Sequence, residues 1–292
     1  MTEVEPSSLG SDPAALVGEL EDRAVRLLTP CGEGDMMWRR WGSGTRTVFL
    51  FHGGHGAWSH WIRNIPVLAE RYTVIAADLP GCGDSADPPT PYDGDSLGEI
   101  VAAGIKQILG DDDTPAHLVG FSFGGVMSGP VAARLGDRLA SVTLVGAGGL
   151  DLPAKERPPM KGWRRLNEEA EILAVHRHNL GAMMIANPDA IDDLAVYVQN
   201  RNTQKSRMDS PSIGRTGILR RVLPDITAPL NGIWGQYDIG DDSRRDICET
   251  LLRGSHPELA FEVITGAGHW VPYEAAERFN HILLDMLKQR EA

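Results

Sequence analysis

Ser122 stands in the stretch GFSFGG, residues 120–125, where a small hydroxyl side chain has glycines on both sides. A serine hydroxyl attacks a carbonyl carbon efficiently only when a base takes its proton, and that base is often a histidine oriented by a carboxylate. The Gly-x-Ser-x-Gly spacing alone is a weak signal, because a chain rich in glycine supplies such matches by chance. The stretch makes Ser122 a candidate nucleophile, provided that a histidine and an acid accompany it.

A base and an acid follow in the order that such a serine requires. His269, in GAGHW, comes after the last apolar run of the chain and before its last helical pattern, whereas other histidines, such as His60, are interpreted as structural. The acid is expected after an apolar run between Ser122 and His269, and Asp238 at the end of NGIWGQYD fits this description. Three further carboxylates remain as alternatives: Asp241, Asp242 and Asp151.

The negative charge that develops on an attacked carbonyl oxygen needs two convergent backbone N–H groups. Phe123, directly after Ser122, would supply one of them. The other would come from the loop after TVFLFHGG, where Gly54 permits a close approach of the backbone. The sequence therefore predicts an oxyanion hole made of Gly54 and Phe123.

The candidate residues lie far apart in the sequence, so the fold must bring them together at one edge of a sheet. Uninterrupted apolar runs, typical of buried parallel strands, cover residues 47–54, 72–81, 117–122 and 141–149. Helical patterns lie between them, over 58–70, 96–109 and 124–135. Further strand patterns cover 228–238 and 261–265, and further helical patterns cover 243–253 and 274–288. The alternation predicts an α/β fold with a doubly wound, mostly parallel sheet.

The ends of this pattern and its interruption define the expected domains. A polar leader with a helical pattern over 13–20 precedes a hairpin pattern over 24–41. Residues 152–224 carry amphipathic helical stretches without strand-like runs, and an insertion after the carboxyl ends of strands would cover the site as a lid. We expect an N-terminal extension, a core in two segments and a helical lid, over 1–23, 24–151 with 225–292, and 152–224.

Composition excludes several classes of partner. The chain has 28 Lys plus Arg against 40 Asp plus Glu and a net charge of −12, with no basic cluster, so nucleic acid and membranes are not expected partners. The acidic leader has no apolar segment of a signal peptide, which predicts a cytoplasmic protein.

Three widely spaced cysteines predict free thiols rather than a disulfide framework or a metal site: Cys31, Cys82 and Cys248. We expect a small-molecule substrate and no cofactor, and a homo-oligomer is compatible with the sequence.

Five motifs in order resemble those of the α/β-hydrolases: FHGG at 51–54, DLPGCGDS at 78–85, GFSFGG at 120–125, WGQYD at 234–238 and GAGHW at 266–270. Within that superfamily, Arg63-Asn64 and His269-Trp270 resemble the meta-cleavage product hydrolases, which split carbon–carbon bonds in products of aromatic-ring degradation. The resemblance implies that Asn64 positions the substrate oxygens and that Trp270 lines the pocket beside the base. It also implies that Arg201 binds a substrate carboxylate.

Phe121 stands where that family usually carries an asparagine before the serine, and HGGHGAW is shorter than the family's usual loop. The triad pattern is intact, but the bond that is broken stays open. We expect a serine hydrolase acting on a small, partly apolar carbonyl substrate, with either an ester or lactone or a carbon–carbon bond beside a ketone. Alternatives are haloperoxidase-like or acyltransferase activity with the same triad, and a non-catalytic ligand-binding protein with this fold.

Overall fold

The computed structural model describes residues 12–152, 159–238 and 242–291. Within these ranges eight strands form one sheet: β1 Val25–Cys31, β2 Gly34–Trp41, β3 Thr47–Phe51, β4 Thr73–Ala77, β5 Ala116–Phe121, β6 Leu139–Val145, β7 Leu230–Gly235 and β8 Ala260–Ile264. Their order is β1-β2-β4-β3-β5-β6-β7-β8. The pairs β1–β2 and β2–β4 are antiparallel and the other pairs are parallel, which confirms the predicted fold class.

Helices cover both faces of the sheet. They are α1 Pro13–Asp22, α2 Ile65–Leu68, α3 Gly94–Leu109, α4 Phe123–Leu135, α5 Glu169–Met183, α6 Asp193–Gln204, α7 Ser210–Gly214, α8 Ile218–Val222, α9 Asp242–Ser255, α10 Val271–Glu274 and α11 Ala276–Gln289. Strand side chains alternate between the faces. In β3, Phe49 and Phe51 pack with α3 and α4, whereas Val48 and Leu50 pack with α1 and α11. Burial on both faces explains the uninterrupted apolar runs.

The prediction of one continuous helix over 58–70 was wrong. The structure has a 3-10 turn at Trp58–Trp61 and then the short helix α2. Pro66 lies in the first turn of α2, where its missing N–H has no helical partner to lose, whereas inside a longer helix its ring would clash with the preceding turn. The proline therefore makes the chain begin a new helix.

In the described residues between β6 and β7, the regular elements are helices. We call residues 159–222 the helical insertion; it contains α5 to α8, and residues 153–158 of the expected lid lie outside the described part of the chain. Helix α8 packs against α4, and α6 packs against α1. The insertion therefore contacts the core on one side and the N-terminal helix on the other.

The N-terminal extension is tied to the sheet by α1, while residues 1–11 lie outside the described ranges. Asp12 caps this helix by accepting from the Ala14 N–H at 3.1 Å, as short acidic side chains commonly do. The Trp41 Nε1–H of β2 donates to Leu20 O at 2.7 Å. Helix α1 is thus part of the folded core.

The cysteines are free and buried, as predicted, at positions 31, 82 and 248. Burial raises the pKa of Cys82 to about 12 and that of Cys248 to about 11, which disfavours their reactive thiolates. Within the described ranges, the helices lack the combination of length and apolar character that a membrane crossing needs.

Candidate active site

Ser122 lies at the sharp turn between β5 and α4. Its backbone has φ 52° and ψ −110°, and such a positive φ is unfavourable for a residue with a side chain. Glycines make the turn feasible, since a Cβ on Gly120 would collide with Gly124 O and a Cβ on Gly124 would collide with Phe51 O. The turn holds the Ser122 hydroxyl at the carboxyl end of the sheet, as a nucleophile on this fold requires.

A histidine and a carboxylate meet this serine. His269 Nε2 lies 2.8 Å from Ser122 Oγ, and His269 Nδ1 lies 2.5 Å from Asp238 Oδ1. In the neutral imidazole the Nδ1–H donates to the carboxylate, so Nε2 accepts from the serine hydroxyl. Asp238 follows β7 and His269 follows β8. The structure therefore brings together the three residues that the sequence singled out.

The alternative acids do not compete within the described residues. The side chain of Asp151 is exposed, and its carboxylate lies 3.9 Å from Arg220 rather than beside His269. Asp241 and the side chain of Asp242 lie outside the described part of the chain. Asp238 is the carboxylate that the structure places against the imidazole.

Gly146 completes the wall around this pair and was not among the predicted site residues. It follows β6 with φ +53°, and a Cβ there would lie 2.7 Å from Asp238 Oδ2 and 3.2 Å from His269 Nδ1. A larger residue would need both a strained backbone and a displaced acid. The glycine-rich ending of the fourth apolar run was the signal that could have identified it.

The loop after β3, residues 52–56, carries the expected oxyanion donor; we call it the oxyanion loop. The Gly53 N–H donates to His60 Nδ1 at 3.2 Å, which leaves Gly54 as the candidate donor beside it. A Cβ on Gly54 would lie 3.8 Å from the Phe123 Cβ. The two predicted oxyanion residues are therefore neighbours in space.

His60 is an unforeseen support of this loop. Burial lowers its pKa well below the ordinary 6.5, and the nearby His52 and His269 lower it further. A neutral His60 can accept from the Gly53 N–H, which a protonated ring could not do. His52 Nε2 accepts from the Leu79 N–H at 2.9 Å, so two buried histidines shape the loop without reaching the serine themselves.

Phe121 fills the space between the base and the oxyanion loop. It is buried, its ring centroid lies 5.1 Å from that of His269, and a Cβ on Gly53 would lie 2.9 Å from its Cε1. An apolar side chain therefore occupies the position where the meta-cleavage product hydrolases usually carry asparagine. This packing supports the imidazole but offers no hydrogen bond to a substrate.

Asn64 does not have the substrate-binding position that the resemblance implied. Its Nδ2 donates to Pro272 O at 2.9 Å and to Asn280 Oδ1 at 2.7 Å. The amide thereby connects the start of α2 to α10 and α11 in the buried core. Asn64 is absent from the lining of the cavity in the described part of the structure.

Trp270 and Arg201 are also engaged elsewhere. Trp270 is buried and stacked on Tyr273 with ring centroids 4.3 Å apart, and its Nε1–H donates to His60 O at 3.0 Å. The Arg201 Nη2 lies 2.6 Å from Glu21 Oε2 of α1. Neither side chain belongs to the described cavity lining. Trp270 packs behind the base, and Arg201 joins the helical insertion to the N-terminal helix.

A cavity of about 460 Å³ opens beside Ser122 and His269. Apolar side chains and arginines surround it: Leu150, Leu152, Trp234, Arg215, Arg244 and Arg245. This size suits a small molecule. Among the described residues, no group of three or more histidine, cysteine or acidic side chains is arranged to hold a metal ion.

The mostly parallel sheet and the serine turn after β5 define the class of α/β-hydrolase enzymes. A model described as the Alpha/beta hydrolase family matches residues 48–282, and the chain belongs to that family. It is an enzyme of the hydrolase class.

Named relatives agree with this assignment. A dihydrolipoyllysine-residue acetyltransferase component of an acetoin cleaving system from Pseudomonas putida is 30% identical, covering 95% of this chain and 70% of the relative. A 2-hydroxy-6-oxononadienedioate/2-hydroxy-6-oxononatrienedioate hydrolase from Paraburkholderia phymatum is 29% identical, covering 85% of this chain and 89% of the relative. The latter confirms the resemblance to meta-cleavage product hydrolases.

A solved structure has the same fold. The 2-hydroxy-6-oxo-6-phenylhexa-2,4-dienoate hydrolase from Rhodococcus sp. strain RHA1 superposes with a TM-score of 0.68 at 20% identity. The match covers 91% of this chain and 99% of that chain.

Proposed function

We propose that the chain is a cofactor-free serine hydrolase in which Ser122 is the nucleophile, His269 the general base and acid, and Asp238 the orienting carboxylate. The observation that carries the proposal is the continuous path from Asp238 Oδ1 through His269 to Ser122 Oγ, with contacts of 2.5 and 2.8 Å. This arrangement places a proton acceptor directly on the serine hydroxyl, which is the requirement for its activation.

The proposed reaction has two halves. Ser122 Oγ attacks the substrate carbonyl while its proton passes to His269 Nε2, and Asp238 stabilises the imidazolium. The N–H groups of Gly54 and Phe123 hold the oxyanion. The carbonyl re-forms as the leaving group departs with the proton from His269. Water then attacks the acyl carbon while its proton passes to His269. The bond to Ser122 Oγ breaks as His269 returns this proton to the serine, and the acyl group leaves as a carboxylic acid.

The proposed substrate is a small, partly apolar carbonyl compound, and we place an ester or lactone first. Support comes from the cavity of about 460 Å³ and from the positions of Asn64 and Arg201. The resemblance implied that these two residues bind a dienol ketone acid. In the structure, Asn64 is hydrogen-bonded to Asn280 and Arg201 to Glu21. We further propose that the helical insertion acts as a lid over this cavity.

Carbon–carbon bond hydrolysis is the second candidate. Its support is the 29% identity to the Paraburkholderia phymatum hydrolase over 85% of this chain. Purified protein would be assayed with short p-nitrophenyl esters and with a ring-cleavage dienol ketone. Ester turnover without dienol decay is the expected result, and faster dienol decay would reverse the order of the two candidates.

Transfer of the acyl group to another acceptor uses the same acyl-enzyme. The name of the Pseudomonas putida relative, an acetyltransferase component, supports this variant. Adding a primary alcohol or a thiol to the ester assay measures it, since a transferase forms the new ester or thioester at the expense of free acid. We expect free acid to dominate.

A fluorophosphonate probe tests the proposed function itself. The probe phosphonylates an activated serine, so wild-type protein is expected to be labelled and Ser122→Ala is expected to remain unlabelled. Circular dichroism would verify that both proteins are folded. A folded wild type that resists labelling would overturn the proposal that Ser122 is an activated nucleophile.

A further inference from the structure

Ser210 begins α7, where the helical insertion meets the oxyanion loop. Its side chain is buried, at 3% exposure. A Cβ on Gly54 would lie 2.9 Å from Ser210 Oγ and 3.8 Å from the Phe123 Cβ. Ser210 Oγ and the Phe123 side chain therefore both lie close to Gly54, which brings the Ser210 hydroxyl near the two residues whose N–H groups are assigned to the oxyanion.

The Ser210 hydroxyl has no hydrogen-bond partner among the described residues. Buried hydroxyls are nearly always paired, because a donor removed from water without a partner costs free energy. Other buried serines follow this rule: Ser128 Oγ donates to Gly124 O at 2.8 Å, and Ser59 Oγ donates to Asn202 Oδ1 at 2.9 Å. A ligand at Gly54 would supply the acceptor that the fold does not.

The chain just before Ser210 is fastened to the core. Ser206 Oγ lies 3.0 Å from the Nδ1 of His55, the residue after Gly54 in the oxyanion loop. Arg207 Nε lies 2.7 Å from Asp87 Oδ1. These contacts set the position of Ser210 relative to the oxyanion loop, which a group meant to contact a reacting atom requires.

We propose that the Ser210 hydroxyl is a third hydrogen-bond donor to the substrate oxygen held by the N–H groups of Gly54 and Phe123. The proposal rests on the proposed hydrolytic function. Because a hydroxyl rotates about its Cβ–Oγ bond, it can follow the oxygen from the carbonyl to the oxyanion position. The bond strengthens as negative charge develops, so Ser210 would lower the barrier more than it strengthens substrate binding.

The test compares Ser210→Ala with wild type on an ester and on the matching thionoester, whose C=S sulfur is a poor hydrogen-bond acceptor. Loss of a donor to the oxyanion lowers the ratio of ester to thionoester kcat/KM, whereas a merely structural defect lowers both rates together. We expect the ratio to fall about tenfold, less than for a backbone oxyanion donor because two donors remain. The ester KM should change less than twofold.

Ser212→Ala is the matched control, because Ser212 lies in the same short helix, is exposed, and donates to Asp209. It should keep the wild-type ratio. The rate of fluorophosphonate labelling is the second readout, since the phosphoryl oxygen of the probe occupies the oxyanion position. Labelling should slow about tenfold in Ser210→Ala and stay unchanged in the control.

An unchanged ratio and an unchanged labelling rate in folded Ser210→Ala would overturn the role of Ser210 and leave the proposed function intact. Equal losses on ester and thionoester would also overturn it, because they indicate a packing defect. A wild type that neither turns over esters nor reacts with the probe would overturn both proposals.

Discussion

The edge of the sheet and the helical insertion are held in place by different interactions. At the sheet edge the backbone is constrained: Ser122 has a positive φ, and so does Gly146 beside the acid. The insertion is attached by packing between side chains, as of α8 against α4, and by ion pairs, with Arg201 on Glu21 and Lys205 on Asp84, each at 2.6 Å. The contrast indicates that the rigid edge carries the proposed chemistry, while the insertion adds groups whose positions depend on side-chain contacts.

The largest expected effect is at the sheet edge, in Asp238→Asn. The amide favours the wrong imidazole tautomer of His269, so kcat should fall about 10⁴-fold with the fold retained. Steady-state kinetics with a p-nitrophenyl ester and circular dichroism measure the two quantities. Asp241→Asn is the control and should keep near-normal kcat. A large loss of kcat in Asp241→Asn, with little loss in Asp238→Asn, would identify Asp241 as the carboxylate that orients His269.

The arrangement of this edge followed from the sequence because parallel strands present their carboxyl ends together. Ser122, Asp238 and His269 each follow an apolar strand pattern, so the fold alone places them at one edge. The hairpin pattern over 24–41 likewise predicted the antiparallel pair β1–β2, whereas the order of the strands in the sheet required the structure. So did the break before α2, which depends on the single proline at position 66.

The next effect concerns Arg39, which links the sheet to α1 beneath the insertion. Its guanidinium is fully buried and lies 2.8 Å from Asp78 and 2.6 Å from Glu21. Arg39→Ala should lower the free energy of unfolding by about 3 to 5 kcal/mol, because Asp78 is left buried without its cation. Urea denaturation measures this loss.

Arg40 is the matched control for Arg39, since it is the next residue of β2 but is exposed. Arg40→Ala should change the free energy of unfolding by less than about 0.5 kcal/mol. Equal losses in the two variants would show that charge removal from β2, rather than the buried pairing, determines the stability.

A smaller effect is expected from Gly146→Ala, which probes the backbone constraint at the edge. The new Cβ would lie 2.7 Å from Asp238 Oδ2, so the acid must move, and kcat should fall about 10²-fold. Gly136→Ala is the control, because its φ of +51° imposes a similar backbone strain while its Cβ would lie more than 4 Å from the other described atoms. A wild-type kcat in Gly146→Ala would show that the acid tolerates displacement.

The residues that sequence reasoning misplaced share a physical reason. Asn64 and Trp270 directly precede the short helices α2 and α10, and Arg201 lies in α6. Tertiary packing, rather than strand order, determines the partners of these polar or amphipathic groups. Asn64 is hydrogen-bonded to Asn280, and Arg201 to Glu21, and both partners come from distant parts of the chain. Ser210 could not be predicted, because an isolated serine carries no local pattern. Periodicity predicts which elements form, but not which polar groups meet across them.

The smallest expected effect belongs to Arg201→Ala in the insertion. The pair with Glu21 is partly exposed, with side chains 26% and 13% accessible, so its loss should lower the free energy of unfolding by about 0.5 to 1 kcal/mol. The KM of a carboxylate-bearing ester should match that of wild type, because Arg201 is engaged with Glu21. A severalfold rise in KM for this ester alone, with none for its neutral analogue, would indicate that Arg201 binds the substrate carboxylate.

The same variant has a pH signature. Burial raises the pKa of Glu21, but the hydrogen bond to Arg201 and the charges of Arg39 and Arg201 outweigh it, so its pKa lies below the ordinary 4.5. A carboxylate with a lowered pKa in the folded state stabilises fully above its unfolded pKa and loses this contribution as the pH falls through the folded value. The difference in unfolding free energy between wild type and Arg201→Ala should therefore be constant near neutrality and shrink below pH 4.5. A difference that persists at low pH would assign the effect to packing of the arginine stem.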